Sequence, residues 1–185
     1  MPFDQKHYEK VEKEMERHRE DTETSKLGHW CAAAKYERRH KLYIGLPATT
    51  ISIFLTWLLS SDAKDVLAGT SYLQPLLVFL GLIVSILSGL GTFLNFNEQA
   101  LKHRSAAESL HALWRDCKNW DTDFPDMNCC KEAVLAVQNY RKRLNDINRD
   151  APQIPKWAWK SVNKQRAEGS TTYKNEELKT KISKP

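Results

Sequence analysis

Two runs without a charged residue, Leu42 to Ser61 and Val66 to Phe96, interrupt an otherwise polar chain. At a helical rise of ~1.5 Å per residue the first covers about 30 Å, the hydrocarbon thickness of a bilayer. The second is longer than a span needs and is trimmed to Leu73–Phe96. Neither run carries the polar face that a core helix of a soluble bundle shows to water. The sequence therefore predicts an all-α membrane protein. Its expected architecture is a two-helix transmembrane hairpin with a cytoplasmic N-terminal helix and a C-terminal antiparallel helical stalk.

Charge sets the expected orientation. Lys35, Arg38, Arg39 and Lys41 precede the first span, and Lys102 and Arg104 follow the second. The connection holds Lys64 beside Asp62 and Asp65. Basic residues concentrate on the cytoplasmic side of a membrane, so both termini are expected in the cytoplasm of a multi-pass protein of the cell membrane. The first forty residues are highly charged and lack the apolar core of a cleavable signal peptide. The division expected is 1–41 cytoplasmic N-terminal helices, 42–61 first span, 62–72 short extracytoplasmic loop and 73–96 second span. Residues 97–150 then form a cytoplasmic helical hairpin, 151–167 a short Pro/Trp-containing segment and 168–185 a disordered tail.

With 185 residues, the chain has room for the hairpin and one modest helical module, which argues against complex catalysis. The net charge of +5 is spread over flanks rich in acid, a pattern suited to an anionic lipid surface; no nucleic-acid partner is expected. Cys31, Cys117, Cys129 and Cys130 all fall on the expected cytoplasmic side, where thiols stay reduced.

Tyr8, Val11, Met15 and His18 line one narrow face of a charged helix-forming stretch. Thr22, Thr24 and Ser25 are candidate caps for a second helix running through Trp30 and Tyr36 into the first span. Gly45 and Pro47 predict a kink. After the second span, His103, Ala106, Leu110, Leu113, Cys117 and Trp120 recur at steps of three and four, which is heptad spacing. Beyond a breaker at Asp121–Asp126, a second seam takes in Cys130, Ala133, Val137, Tyr140, Leu144 and Ile147. Two such helices joined by a short turn are expected to pair antiparallel, with the N-terminal helix as a candidate third member. Pro152 and Pro155 break the second helix ahead of Trp157 and Trp159, where a short interfacial or docking helix is expected.

Within the spans, Thr49, Ser52, Thr56 and Ser60 form a hydroxyl stripe. Gly81, Ser85 and Gly89 form a small-residue stripe, with Ser88 and Thr92 beside it and Asn95 at its inner end. Small residues spaced by four let two backbones approach, so these positions read either as helix packing or as the lining of a water path in an oligomer. Lys35, Arg38, Arg39, Lys102, His103 and Arg104 read either as contacts to lipid head groups or as the coupling between span and stalk. Neither span contains an ionisable residue. His103, Glu108 and His111 lack metal-ligand spacing, a calcium-loop count from Asp121 meets Pro125 and Asp126 at its fifth and sixth positions, and no nucleophile motif is present. No catalytic, metal-binding or cofactor-binding residue is assigned, and no cofactor is expected.

Two stretches carry a family likeness. Lys35-Tyr36-Glu37-Arg38-Arg39-His40-Lys41 enters the first span, and Thr92-Phe93-Leu94-Asn95-Phe96-Asn97-Glu98-Gln99-Ala100-Leu101-Lys102-His103-Arg104-Ser105-Ala106-Ala107-Glu108 leaves the second. Together with Pro152-Gln153-Ile154-Pro155, they resemble the SLATT family, two-transmembrane effectors associated with SMODS nucleotidyltransferases and SLOG domains. The likeness runs from Trp30 to about Arg166. It implies a pore-forming effector of antiviral defence and cell suicide in prokaryotic conflict systems. That effector would act as a homo-oligomer in the lipid bilayer, triggered by a nucleotide second messenger or a neighbouring sensor protein. The alternative from the residues themselves is a non-conducting membrane adaptor that recruits a soluble partner through its cytoplasmic helices.

Overall fold

A computed structural model describes residues 5–60 and 71–168. The described residues form helices and turns, with no strand among them. The chain divides into two compact units, Met1–Ala33 with Lys102–Pro185, and Ala34–Leu101.

The first unit is a bundle built on α1 (Gln5–His40), α4 (Phe96–Asp116) and α6 (Cys130–Asp150), each taken up to the unit boundary. Its seams are those of the sequence. His103, Ala106, Leu110, Leu113, Cys117 and Trp120 are all buried, as are Cys130, Ala133, Val137, Tyr140 and Leu144. Tyr8, Val11 and Met15 complete the same core, so α1 supplies the third member. Leu110 and Leu113 are fully enclosed, and burial of a leucine side chain contributes roughly 1.5–3 kcal/mol. Direction follows from the contacts: Asp116 pairs with Arg143 at 2.8 Å, and Ser105 and Ser109 face Asp150 and Asp146, so α4 and α6 run oppositely.

Between these helices lie a 3₁₀ turn (Cys117–Asn119), the one-turn helix α5 (Trp120–Asp123) and a second 3₁₀ turn (Met127–Cys129). The expected break at Asp121–Asp126 therefore begins as helix and opens only at Phe124. The extended residue Asp126 then caps the next turn, its carboxylate accepting from the Asn128 N–H at 2.8 Å. Beyond α6, Ala151 to Pro155 is non-helical and leads into α7 (Lys156–Ala167). This is the helix expected around the tryptophans, and it docks by burying Ala158 and Val162. Ile154 lies so close to Gly28 that a Cβ there would meet two of its carbons at 3.1 Å.

The second unit contains the end of α1, a π-helical turn (Lys41–Gly45), α2 (Leu46–Leu58), α3 (Leu73–Leu94) and the start of α4. Helices α2 and α3 pack together and run oppositely, since Tyr36 stacks on Phe96 while Ile44 packs on Gly91. The π turn answers the kink expected at Gly45 and Pro47. Proline lacks an N–H and crowds the carbonyl four residues back, and the helix accommodates it by widening, with Leu46 N–H bonded to Lys41 O. Asn95 ends α3 in the left-handed region, φ 46° and ψ 36°, so that helix stops two residues short of Phe96. Phe96 is already in α4.

One expectation is corrected. Thr22, Thr24 and Ser25 do not cap a second N-terminal helix, because α1 is continuous through them. Thr22 and Thr24 donate back to His18 O and Glu20 O at 2.7 Å, which satisfies their hydroxyls inside the helix. The expected loop at 62–72 and tail at 168–185 lie outside the described residues except for 71, 72 and 168.

Candidate functional site

The apolar helices of the second unit turn their large side chains outward. Ile53 and Val78 are each 66% exposed and Phe93 is 85% exposed, and α3 has no buried residue. A core helix of a water-soluble bundle would bury such a face; the continuous helical stretches that contain these helices, Gln5–Leu58 and Leu73–Asp123, are each long and apolar enough to cross a membrane.

The polar positions within them are satisfied locally. Ser52 donates to Ala48 O at 2.8 Å, Thr56 to Ser52 O at 2.9 Å and Ser60 to Trp57 O at 2.7 Å. On α3, Ser85 donates to Gly81 O at 2.9 Å and Thr92 to Ser88 O at 3.2 Å. Thr49, Ser52 and Thr56 are exposed, as are Ser85, Ser88, Gly89 and Thr92. The small-residue stripe does not join the two helices of one chain: a Cβ on Gly81 or Gly89 would meet nothing within 4 Å. The close approach is made by Gly91, where a Cβ would lie 3.1 Å from Ile44. Gly91 stands two residues from Gly89, about 200° round the helix, and nothing in the local sequence singles it out. Asn95 is exposed, and its amide donates to the Glu98 carboxylate.

The basic positions separate by unit. In the second, Lys35 and Arg38 are exposed, Arg39 is half-buried and Lys41 pairs with Glu37 at 2.7 Å. In the first, Lys102 and Arg104 are exposed on α4, but His103 between them is 1% exposed. His103 is therefore not a surface contact to head groups. Its Nδ1 lies 2.9 Å from Nδ1 of His29, itself buried, a residue that sequence reasoning missed because its partner is 74 positions away. One imidazole must donate and the other accept, so the pair holds a single bridging proton. Burial, and then the His103 ring beside it, pushes His29 down to about 4, and burial also lowers His103. Both rings are neutral near pH 7.

A second polar chain links α1, α6 and the 3₁₀ turn that follows α4. Tyr140 donates to Thr22 at 2.7 Å, and the Cys117 thiol lies 3.7 Å from the Tyr140 hydroxyl. Burial pushes the Tyr140 phenol and the Cys117 thiol up, which keeps both protonated. Among the described residues no group of three His, Cys, Asp or Glu side chains is placed to hold a metal ion.

Comparison with protein-family models, with curated proteins and with solved structures yields no match. Functional interpretation therefore rests on the chain's own residues. The outward apolar faces of α2 and α3 carry the hydroxyl and glycine stripes and stand exposed.

Proposed function

We propose that this chain is a membrane effector that spans the bilayer twice, keeps both termini in the cytoplasm and assembles into homo-oligomers that open a weakly selective pore. The observation that carries the membrane part is the outward exposure of Ile53, Val78, Phe93 and their neighbours on two continuous helical stretches, Gln5–Leu58 and Leu73–Asp123, long and apolar enough to span. The oligomeric part draws on the Gly81, Ser85 and Gly89 stripe, at whose two glycines a Cβ would meet nothing among the described residues within 4 Å, and which suits close helix approach between copies. The hydroxyls of Thr49, Ser52 and Thr56 would then line the water path. The resemblance of Lys35–Lys41 and Thr92–Glu108 to SLATT proteins extends this to a role in prokaryotic conflict systems, with a nucleotide signal or sensor protein as trigger. No catalytic residue is assigned.

The experiment compares the wild-type chain with Thr49→Leu/Ser52→Leu/Thr56→Leu at matched membrane levels, following membrane potential and dye uptake during controlled expression. The expected result is depolarisation by the wild type that the triple variant abolishes. Equal depolarisation by both would remove these hydroxyls from the conduction path. An undisturbed potential in both, under conditions where the oligomer is present and its trigger supplied, would overturn the pore and leave the adaptor role.

A further inference from the structure

The short helix α7 carries charge of one sign only. From Ala151 to Ala167 the chain has no carboxylate side chain, and Lys156, Lys160, Lys164 and Arg166 all fall within α7. The other helices of the bundle, α1, α4 and α6, mix acids with their bases. Lys164 pairs at 3.8 Å with Glu168 just beyond the helix, an exposed contact. Among the described residues, Lys156, Lys160 and Arg166 form no ion pair.

Helical geometry sorts these residues by face. One side of α7 is committed to the bundle: Ala158 and Val162 are fully buried, and Ile154 ahead of the helix lies against Gly28. On the same side the Cys31 thiol donates to Ser161 Oγ at 3.8 Å, and Gln165 Nε2 donates to the Cys31 sulfur at 3.8 Å. Opposite lie Lys156, Lys160 and Lys164, each exposed and one turn from the next. At ~1.5 Å per residue they make a row about 12 Å long. Trp157 and Trp159, both half-buried, border that row on its two sides.

Because its apolar face is used within the fold, α7 has none to insert among acyl chains. What it offers outward is a convex row of ammonium groups between two indoles. Such a row gives no enclosure for a compact ligand, but it matches a plane of many negative charges. Indoles settle at the head-group level of a bilayer, and lysines near an anionic leaflet are attracted to it. The spans belong to the same chain, so docking is intramolecular once they are inserted, which favours the leaflet over a soluble polyanion.

We propose that the outer face of α7, with Lys156, Lys160 and Lys164 between Trp157 and Trp159, docks on the anionic phospholipid head groups of the bilayer that the chain spans. The inference rests on the spanning of that bilayer by α2 and α3 and is independent of the pore.

The test places the full chain in nanodiscs of phosphatidylcholine, with or without phosphatidylglycerol, and follows amide hydrogen exchange of Lys156–Ala167 by mass spectrometry. The expected result is exchange about fivefold slower with phosphatidylglycerol, a difference that disappears at ~1 M salt, where the Debye length is about 3 Å. It should also disappear in Lys156→Gln/Lys160→Gln/Lys164→Gln, whose helical circular dichroism is retained because all three positions are exposed. A charged leaflet slows exchange of any amide near it, so slowing that persists in this variant overturns docking through the lysine row. Equal exchange in the two lipids, by a wild-type chain that stays in the discs, overturns the docking and leaves the spanning hairpin intact. Slow exchange in both lipids that grows with the number of chains per disc assigns the row to a second copy and overturns the lipid contact. A chain retained in neither disc overturns the spanning hairpin and, with it, the docking.

Discussion

His29 and His103 keep their 2.9 Å contact only while a single proton bridges them. A second proton would place two imidazolium charges in a buried site. The consequence for stability has a definite sign. In the unfolded chain His29 titrates near 6.5, and in the fold it is held down at about 4. The neutral pair therefore contributes fully above pH 6.5, and that contribution is lost as the pH falls from 6.5 towards 4, where the unfolded state binds more protons. The loss is on the order of 3 kcal/mol. Chemical denaturation at a series of pH values should reveal it, and His29→Gln should flatten the profile across that window. A wild-type profile that is flat there would show that the pair is not a neutral, singly bridged one.

At the scale of elements, the two heptad seams were legible up to Leu144, while Ile147 at the end of the second is only partly buried. Each seam residue from His103 to Trp120, and from Cys130 to Leu144, is buried, because burial on one helix face imposes its period directly on the order of residues. The length of α1 was not legible. A threonine that caps a helix and a threonine that bonds back to a carbonyl inside one use the same hydroxyl, and Thr22 and Thr24 chose the second. The partner of His29 was hidden for a different reason, since only tertiary packing brings it together with His103. The end of α3 turns on a single left-handed residue. Asn95 tolerates φ 46° better than a residue branched at Cβ does. Asn95→Gly should leave the thermal midpoint of the full chain in detergent nearly unchanged, whereas Asn95→Val should cost about 1–2 kcal/mol. Equal effects from the two would mean that the backbone there relaxes to an ordinary helix.

On the scale of the whole molecule, the two units divide the labour of burial. The bundle encloses Leu110, Leu113, Leu144, His29 and His103, while the other unit leaves Ile53, Val78, Phe93 and most of its other large apolar side chains exposed, as a surrounding apolar phase would allow. Ile86, 52% exposed near the middle of α3, is a direct probe of that phase. An arginine at the centre of a span costs about 3 kcal/mol on insertion. Ile86→Arg should therefore shift the chain out of the carbonate-resistant membrane fraction, in which the wild type should remain. Identical fractionation of the two chains would argue that this face meets water or protein instead.

The bundle also imposes a schedule on synthesis. Tyr140 hydrogen-bonds to Thr22 across 118 positions of sequence, so α1 is completed by a helix made much later. At ~5–20 residues per second, the N-terminal helix waits roughly 6–24 s for its partners, during which both apolar helices emerge. Through that interval Tyr8, Val11 and Met15 wait for Tyr140 and Leu144 to complete the core that they share.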